Sequence, residues 1–206
     1  KAGGAGDGTS WATASGTLQA MIDAVEAAGG GTVCVAAGTY TPTTEIDGVG
    51  PRFRSFKMRS NVRIYGGFPN TGSPSWVDRN WELCKTICSG EIGNAGTKAD
   101  NCYHVFNNFM VNNYNDRTTL DGFFITGGNA DDEKQRGGGM FNEFSDPTII
   151  NCTFLENSAV YGGGMFNWDS DPSLIKCTFF SNSAEWDGGG IHNGNSDATI
   201  AECVFQ

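Results

Sequence analysis

The sequence predicts an all-β fold: a right-handed parallel β-helix, a solenoid of about six or seven coils, with an N-terminal amphipathic capping helix. Two repeated motifs indicate this. Gly-Gly-Gly-Met-Phe-Asn at 137–142 recurs at 162–167 and, as Gly-Gly-Gly-Ile-His-Asn, at 188–193. Asn-Cys-Thr-Phe at 151–154 recurs as Lys-Cys-Thr-Phe at 176–179 and Glu-Cys-Val-Phe at 202–205. Both motifs step by 25 and then 26 residues, so a single structural unit is stacked.

The repeating unit is built of strands and turns, because short alternating runs are interrupted by Gly, Asn and Ser and no helical apolar spacing is present. In the 149–154 segment, Ile149, Cys152 and Phe154 face inward, with a bend near Ile150. Outer positions change charge between copies, whereas inner positions keep their residue type. Two inward columns result: Cys152, Cys177 and Cys203; and Phe154, Phe179 and Phe205. Asn142, Asn167 and Asn193 form a column of amides at one turn position, where each side chain can hydrogen-bond to its copies one coil above and below.

The chain divides into a cap, residues 1–31, and a solenoid, residues 32–206. Leu18, Met21, Ile22 and Val25 have the spacing of an amphipathic helix over 16–28, which Gly residues at 29–31 end. Such a helix covers the open end of a β-helix. The solenoid is irregular to about residue 136, with side loops at 42–55, 68–82, 91–101 and 129–136, and regular from 137.

Composition excludes several classes of function. The net charge of −10 disfavours nucleic acid and anionic membrane surfaces as partners. No apolar run approaches the ~20 residues of a membrane-spanning helix, so we expect no membrane insertion. Because the chain begins at Lys1, we expect a processed product or an excised fragment.

Seven cysteines require an explanation. Those at 152, 177 and 203 are small apolar residues of one inward column. In-register thiols that point the same way seldom reach the dihedral angle of a disulfide, which favours free thiols. A disulfide between Cys88 and Cys102 is a further possibility. The odd total leaves at least one thiol unpaired, or paired between chains.

The sequence contains no recognisable catalytic constellation, so we expect no catalytic and no cofactor-binding residue. His104 and His192 lie near no nucleophile motif, and His192 takes the outward position of Phe141 and Phe166, which indicates a surface residue. Asp169, Asp171 and Asp187 approach one another if coils stack, and are weak Ca²⁺ candidates. The favoured alternative for these three, and for the acidic run at 131–133, is that they are turn residues.

Aromatic residues near the same turns offer a surface that stacks on sugar rings or packs against another protomer. They are Phe141, Phe144, Tyr161, Phe166, Trp168 and Trp186.

Several segments resemble the pectate-lyase-like β-helix superfamily and its polymorphic-outer-membrane-protein-like repeats. These are Asp-Gly-Thr-Ser-Trp-Ala at 7–12, Gly-Gly-Thr-Val-Cys-Val at 30–35, Tyr-Gly-Gly-Phe at 65–68, Leu-Asp-Gly-Phe at 120–123 and the repeats themselves. The resemblance implies export to the cell surface or beyond. It carries over no catalytic residue, because the family hosts lyases, hydrolases, adhesins and structural proteins alike.

Two classes of function follow. The leading expectation is a non-enzymatic extracellular structural or adhesive surface protein whose partner is itself, in a filament, sheath or surface layer. The alternatives act on or bind polysaccharide: a lyase or glycoside hydrolase, or a carbohydrate-binding module. A lyase would need Asp together with basic residues on one exposed face, for which Arg117, Lys134 and Arg136 are candidates. Asn151 also lies in an N-glycosylation acceptor sequence.

Overall fold

The chain folds as a parallel β-solenoid of six turns, seen in a computed structural model that describes residues 1–111, 118–132 and 134–206. The all-β solenoid class is confirmed, with helix α1 (Leu18–Ala27) before the first strand. Two residues named from the sequence, Arg117 and Glu133, lie outside the described residues.

The described residues contain nineteen strands and three short 3₁₀ helices. The strands are β1 (Gly31–Ala36), β2 (Gly38–Tyr40), β3 (Val62–Phe68), β4 (Thr86–Ser89), β5 (Phe106–Phe109), β6 (Thr119–Asp121), β7 (Phe123–Thr126), β8 (Asn129–Ala130), β9 (Met140–Glu143), β10 (Thr148–Ile150), β11 (Thr153–Leu155), β12 (Ser158–Tyr161), β13 (Met165–Trp168), β14 (Ser173–Ile175), β15 (Thr178–Phe180), β16 (Ser183–Asp187), β17 (Ile191–Gly194), β18 (Thr199–Ala201) and β19 (Val204–Phe205). The 3₁₀ helices are Pro51–Phe53, Trp76–Asp78 and Lys98–Asp100.

These strands form four parallel sheets that run along the solenoid. Two sheets have six strands each, in the orders β1-β3-β6-β10-β14-β18 and β2-β4-β7-β11-β15-β19. The other two have the orders β8-β12-β16 and β5-β9-β13-β17. One regular turn therefore uses one strand of each sheet, for example β10, β11, β12 and β13.

Equivalent residues of successive turns lie directly over one another. Met140 pairs with Met165, and Met165 with Ile191, in the sheet of β9, β13 and β17. The rings of Phe154 and Phe179 are parallel, with centroids 4.6 Å apart, and Phe205 continues the stack at 4.9 Å. These spacings match the ~4.8 Å separation of neighbouring strands, so each strand pairing stacks a ring on its own copy.

The corner between the first two strands of each turn has a fixed backbone conformation. Asn151, Lys176 and Glu202 have φ angles of 50°, 54° and 54°. The bend that the sequence predicts near Ile150 therefore falls at the next residue, Asn151. Lys176 and Glu202 are exposed at this corner, so their side chains are in contact with solvent. This explains why the residue type changes freely here.

The repeated glycine triplets combine a turn with a close approach of backbones. Gly162 has φ +65°. A Cβ on Gly164 would lie 2.5 Å from the carbonyl oxygen of Gly190 and 2.8 Å from the ring of Phe179. Only glycine fits at position 164, because the phenylalanine stack fills the space beside it.

Helix α1 packs on β1 with Leu18 and Ile22 buried in the core. Gln19, which the apolar spacing did not single out, is also buried. Its side chain donates to the carbonyl oxygen of Lys57 at 3.0 Å and accepts from the backbone N–H of Lys57 at 2.8 Å. The helix is thereby fixed to the loop before β3 by a polar contact as well as by apolar packing.

The predicted insertion at 129–136 begins with a strand. Asn129 and Ala130 form β8, which pairs in parallel with Ser158 and Ala159 of β12. The insertion is therefore confined to the residues after Ala130.

The disulfide suggested between Cys88 and Cys102 is wrong. All seven cysteines fall within the described ranges, and all are free thiols. The backbone N–H of Cys102 donates to the carbonyl oxygen of Gly90 at 2.9 Å, and Cys102 Sγ occupies the space where a Gly90 side chain would stand. Cys102 is thus matched with Gly90, two residues beyond Cys88, which is roughly 6.6 Å along a strand.

Candidate functional site

The outer surface of the sheet β5-β9-β13-β17 carries a stack of rings. His104 lies on Phe141 with centroids 5.2 Å apart, Phe141 on Phe166 at 5.9 Å, and Phe166 on His192 at 4.9 Å. Tyr161, Trp168 and Trp186 flank this stack, and we call the seven residues together the aromatic face.

The two phenylalanines of the aromatic face are not the surface residues that the outward position indicated. Phe141 is 9% exposed and Phe166 is 2% exposed. His104 covers Phe141 from one side, while Trp168 lies parallel to Phe166 at 6.4 Å. Outward side chains are buried here because neighbouring rings and a loop cover them. Trp168 and Trp186 are the exposed members, at 38% and 68%.

Arg136 lies over the centre of the aromatic face. Its guanidinium carbon is 5.2 Å from the ring centre of Phe166 and 5.7 Å from that of Trp168. A guanidinium within ~6 Å of an aromatic ring is attracted by the ring's negative face. Arg136 is exposed, so its N–H donors remain accessible to a ligand that approaches the rings.

A polar pocket adjoins the aromatic face. It has a volume of about 310 Å³ and is lined by Asp47, His104, Lys134, Gln135, Arg136, Phe141 and Glu143. Lys134 Nζ forms an ion pair with Asp47 Oδ2 at 2.5 Å. The side loops 42–55 and 129–136 thus meet over the sheet, and they supply Asp47, Lys134 and Arg136, while β9 supplies Glu143.

His104 is a neutral wall of this pocket. It is 4% exposed, and its Nδ1 lies 2.9 Å from the carbonyl oxygen of Gly137, which requires a proton on Nδ1. Burial lowers the pKa of His104 to about 4, outweighing the contact with Gly137, which raises it. At neutral pH the imidazole is uncharged and Nε2 is unprotonated.

The aspartates suggested for Ca²⁺ are not brought together. In the described part of the chain, no three His, Cys, Asp or Glu side chains form a group able to hold a metal. Asp169 accepts from the side chain of Asn195, and Asp171 accepts from the backbone of Asp197 at 2.6 Å. Asp187 ends β16, which the glycine turn and β17 separate from that corner. Asp169 and Asp171 follow the C-terminal end of β13, whereas Asp187 lies before the N-terminal end of the neighbouring strand β17, so stacking of the turns does not bring them together.

The structure also places the amide column and extends it. Asn142 Nδ2 donates to Asn167 Oδ1 at 2.8 Å, and Asn167 Nδ2 to Asn193 Oδ1 at 2.7 Å. Asn108 begins the ladder by donating to Asn142 at 2.9 Å. No sequence pattern predicts the role of Asn108, because the turn that contains it lacks the glycine triplet.

The cysteine column lies in one file beside β11, β15 and β19. The backbone N–H of Cys177 donates to Cys203 Sγ at 3.3 Å, and the N–H of Thr178 to the carbonyl oxygen of Cys152 at 2.9 Å. Burial raises the pKa of the Cys177 thiol to about 12 and that of Cys152 well above its ordinary value. These thiols act as packing groups, since little thiolate forms at neutral pH.

Comparisons of the chain with protein-family models, with curated proteins and with solved structures give no match. The structure therefore supports assignment to a fold, a parallel β-solenoid with one N-terminal helix, and not to a family. Within the described ranges, no helix combines the length and hydropathy needed to cross a membrane.

Proposed function

We propose that this chain is a non-enzymatic, extracellular surface protein that adheres to polysaccharide through the aromatic face and the pocket beside it. The observation that carries the proposal is the position of Arg136 over Phe166 and Trp168, next to a cavity of about 310 Å³. Exposed rings stack on the apolar faces of sugars, and a neighbouring guanidinium donates to their oxygens.

The charges of the pocket indicate which polysaccharides fit. Lys134 and Arg136 are balanced by Asp47 and Glu143, and the whole chain carries −10. An acidic polymer would be repelled at long range without a local excess of positive charge to compensate. We therefore propose neutral polysaccharides as the ligand class, bound with little dependence on salt.

Affinity electrophoresis and calorimetry on soluble neutral glucans and xylans, with polygalacturonate and alginate alongside, test the proposal. Trp168→Ala should weaken binding by about two- to tenfold, the equivalent of the ~0.5–1.5 kcal/mol of an aromatic contact. Trp76→Ala is the matched control, because Trp76 is 56% exposed but lies on the loop after β3. Equal losses for both variants would contradict the assignment of the face.

A second pair of variants tests the guanidinium. Arg136→Ala should weaken binding, whereas Arg63→Ala, an exposed arginine of β3, should not. Binding of acidic polymers alone, with affinity falling steeply between low and high salt, would overturn the choice of neutral ligands.

The same samples test the alternative of a lyase or hydrolase. Asp47 and Glu143 line one cavity with His104 and Lys134, which are groups that glycan-cleaving enzymes use. Release of reducing ends or unsaturated sugars from any polymer of the panel, abolished by Glu143→Gln, would replace adhesion by catalysis.

A further inference from the structure

The 91–101 loop, which follows β4, contains an unusual set of buried oxygens. Among the described residues, four buried side-chain oxygens have no hydrogen-bond partner, and three of them belong to this loop. They are Glu91 Oε1, Asp100 Oδ1 and Asn101 Oδ1. Each is an acceptor in a place that water reaches poorly, which is costly unless a cation or a donor compensates.

Hydrogen bonds of the loop hold the two carboxylates. Glu91 Oε2 accepts from the backbone N–H of Gly96 at 3.1 Å. Asp100 Oδ2 accepts from the backbone and side-chain nitrogens of Asn94 at 2.8 Å and 2.9 Å. One oxygen of each carboxylate thus closes the loop on itself, and the other is the buried, unpartnered one.

Asn101 provides an independent observation, because it is an uncharged side chain only 3% exposed. Its Nδ2 donates to the carbonyl oxygen of Gly127 at 2.8 Å, so Oδ1 is turned away from that carbonyl. A Cβ placed on Gly127 would lie 3.3 Å from the backbone nitrogen of Glu91 and 3.6 Å from Asn101 Nδ2. Glu91 and Asn101 are therefore neighbours in space, and Asp100 adjoins Asn101 in the chain.

No ion pair among the described residues includes Glu91 or Asp100. The basic residue of the loop, Lys98, is exposed. Carboxylate and amide oxygens are ligands that Ca²⁺ takes, in sets of six to eight oxygens with flexible geometry. Mg²⁺ requires a stricter octahedron, and Zn²⁺ prefers nitrogen and sulfur.

We propose that the 91–101 loop binds Ca²⁺ through Glu91, Asp100 and Asn101. This site is separate from the aspartates at 169, 171 and 187, and it does not depend on polysaccharide binding. It would order a loop that supports others: Asn101 O accepts from Arg52 Nε at 2.9 Å, and Arg52 pairs with Asp131 at 2.7 Å.

Calorimetry with CaCl₂ alone, on protein freed of metal with a chelator, measures the binding directly. We expect one site with a Kd between about 10⁻⁵ and 10⁻³ M, and much weaker binding of MgCl₂. Trypsin supplies a local readout, because the exposed Lys98 lies within the loop. Ca²⁺ should slow cleavage after Lys98 at least tenfold, and a chelator should restore it.

Glu91→Gln and Asp100→Asn should each weaken Ca²⁺ binding at least tenfold, while Asp171→Asn should leave it unchanged. Circular dichroism establishes whether each variant folds. If Glu91→Gln or Asp100→Asn does not fold, calorimetry and trypsin protection of the wild-type protein decide whether the loop binds Ca²⁺. Absence of both calorimetric binding and Lys98 protection at about 10 mM CaCl₂ would mean that water alone satisfies these oxygens, and would overturn the proposal. Loss of binding in Asp171→Asn with retention in Asp100→Asn would overturn it as well.

Discussion

Replacement of Asn142 by alanine should destabilise the solenoid far more than the same change at the end of the amide ladder. Asn142 is 0% exposed, and both of its ladder partners, Asn108 and Asn167, are at most 1% exposed. Asn142→Ala leaves a buried donor on Asn108 and a buried acceptor on Asn167 without partners. Each buried unsatisfied group costs about 1–3 kcal/mol, so the expected loss for the two groups is about 2–6 kcal/mol.

Asn193→Ala is the matched control, because Asn193 is exposed and makes one ladder contact, with Asn167. Water can replace that contact, so we expect a loss of about 0.5–1.5 kcal/mol. Guanidinium unfolding followed by circular dichroism and by tryptophan fluorescence measures both values, and coincident curves establish that one transition is observed. A cost at Asn193 equal to or above that at Asn142 would refute the account of the ladder.

Three further outcomes are expected. Phe179→Ala should cost about 3–5 kcal/mol of unfolding free energy, and Phe205→Ala, at 49% exposure, clearly less; chemical denaturation checks this, and equal costs would contradict it. The folded-state pKa of His104 is about 4 against an ordinary 6.5, so the unfolded chain binds the proton first and stability falls as pH drops from about 6.5 to 4, by about 3 kcal/mol. His104→Asn should flatten that fall in pH-dependent melting. A thiol reagent should label Cys34, Cys84 and Cys203 in the native protein and the four buried cysteines (Cys88, Cys102, Cys152 and Cys177) only after unfolding, and rapid native labelling of a fourth thiol would contradict this burial.

The sequence was a good guide where residues meet their own copies. Phe154, Phe179 and Phe205 stack because a fixed period brings equivalent positions together, and this follows from spacing alone. Helix α1 and the strands that follow the glycine triplets could be predicted for the same reason, because the local spacing of residues determines where these elements form.

The sequence was a poor guide where one loop meets another. Arg136 of one loop covers Phe166 of β13, and Asp47 of a second loop pairs with Lys134, although no repeat period relates the residues of either pair. Cys88 and Cys102 are free thiols because Cys102 lies beside Gly90, and this register depends on how the 91–101 loop closes. Self-assembly, the other role expected from the sequence, stays a prediction, which sedimentation over a range of concentrations can check.

The left-handed corners at Asn151, Lys176 and Glu202 make the solenoid a one-dimensional scaffold for display. Lys176 Nζ and Glu202 Oε2, 3.8 Å apart, are held side by side although neither contributes to the core. The backbone fixes the spacing of successive corner residues at roughly 4.8 Å. Because the side chains of Lys176 and Glu202 are exposed, the pattern of charges along this edge can be changed by substitution, one turn at a time, without altering the fold.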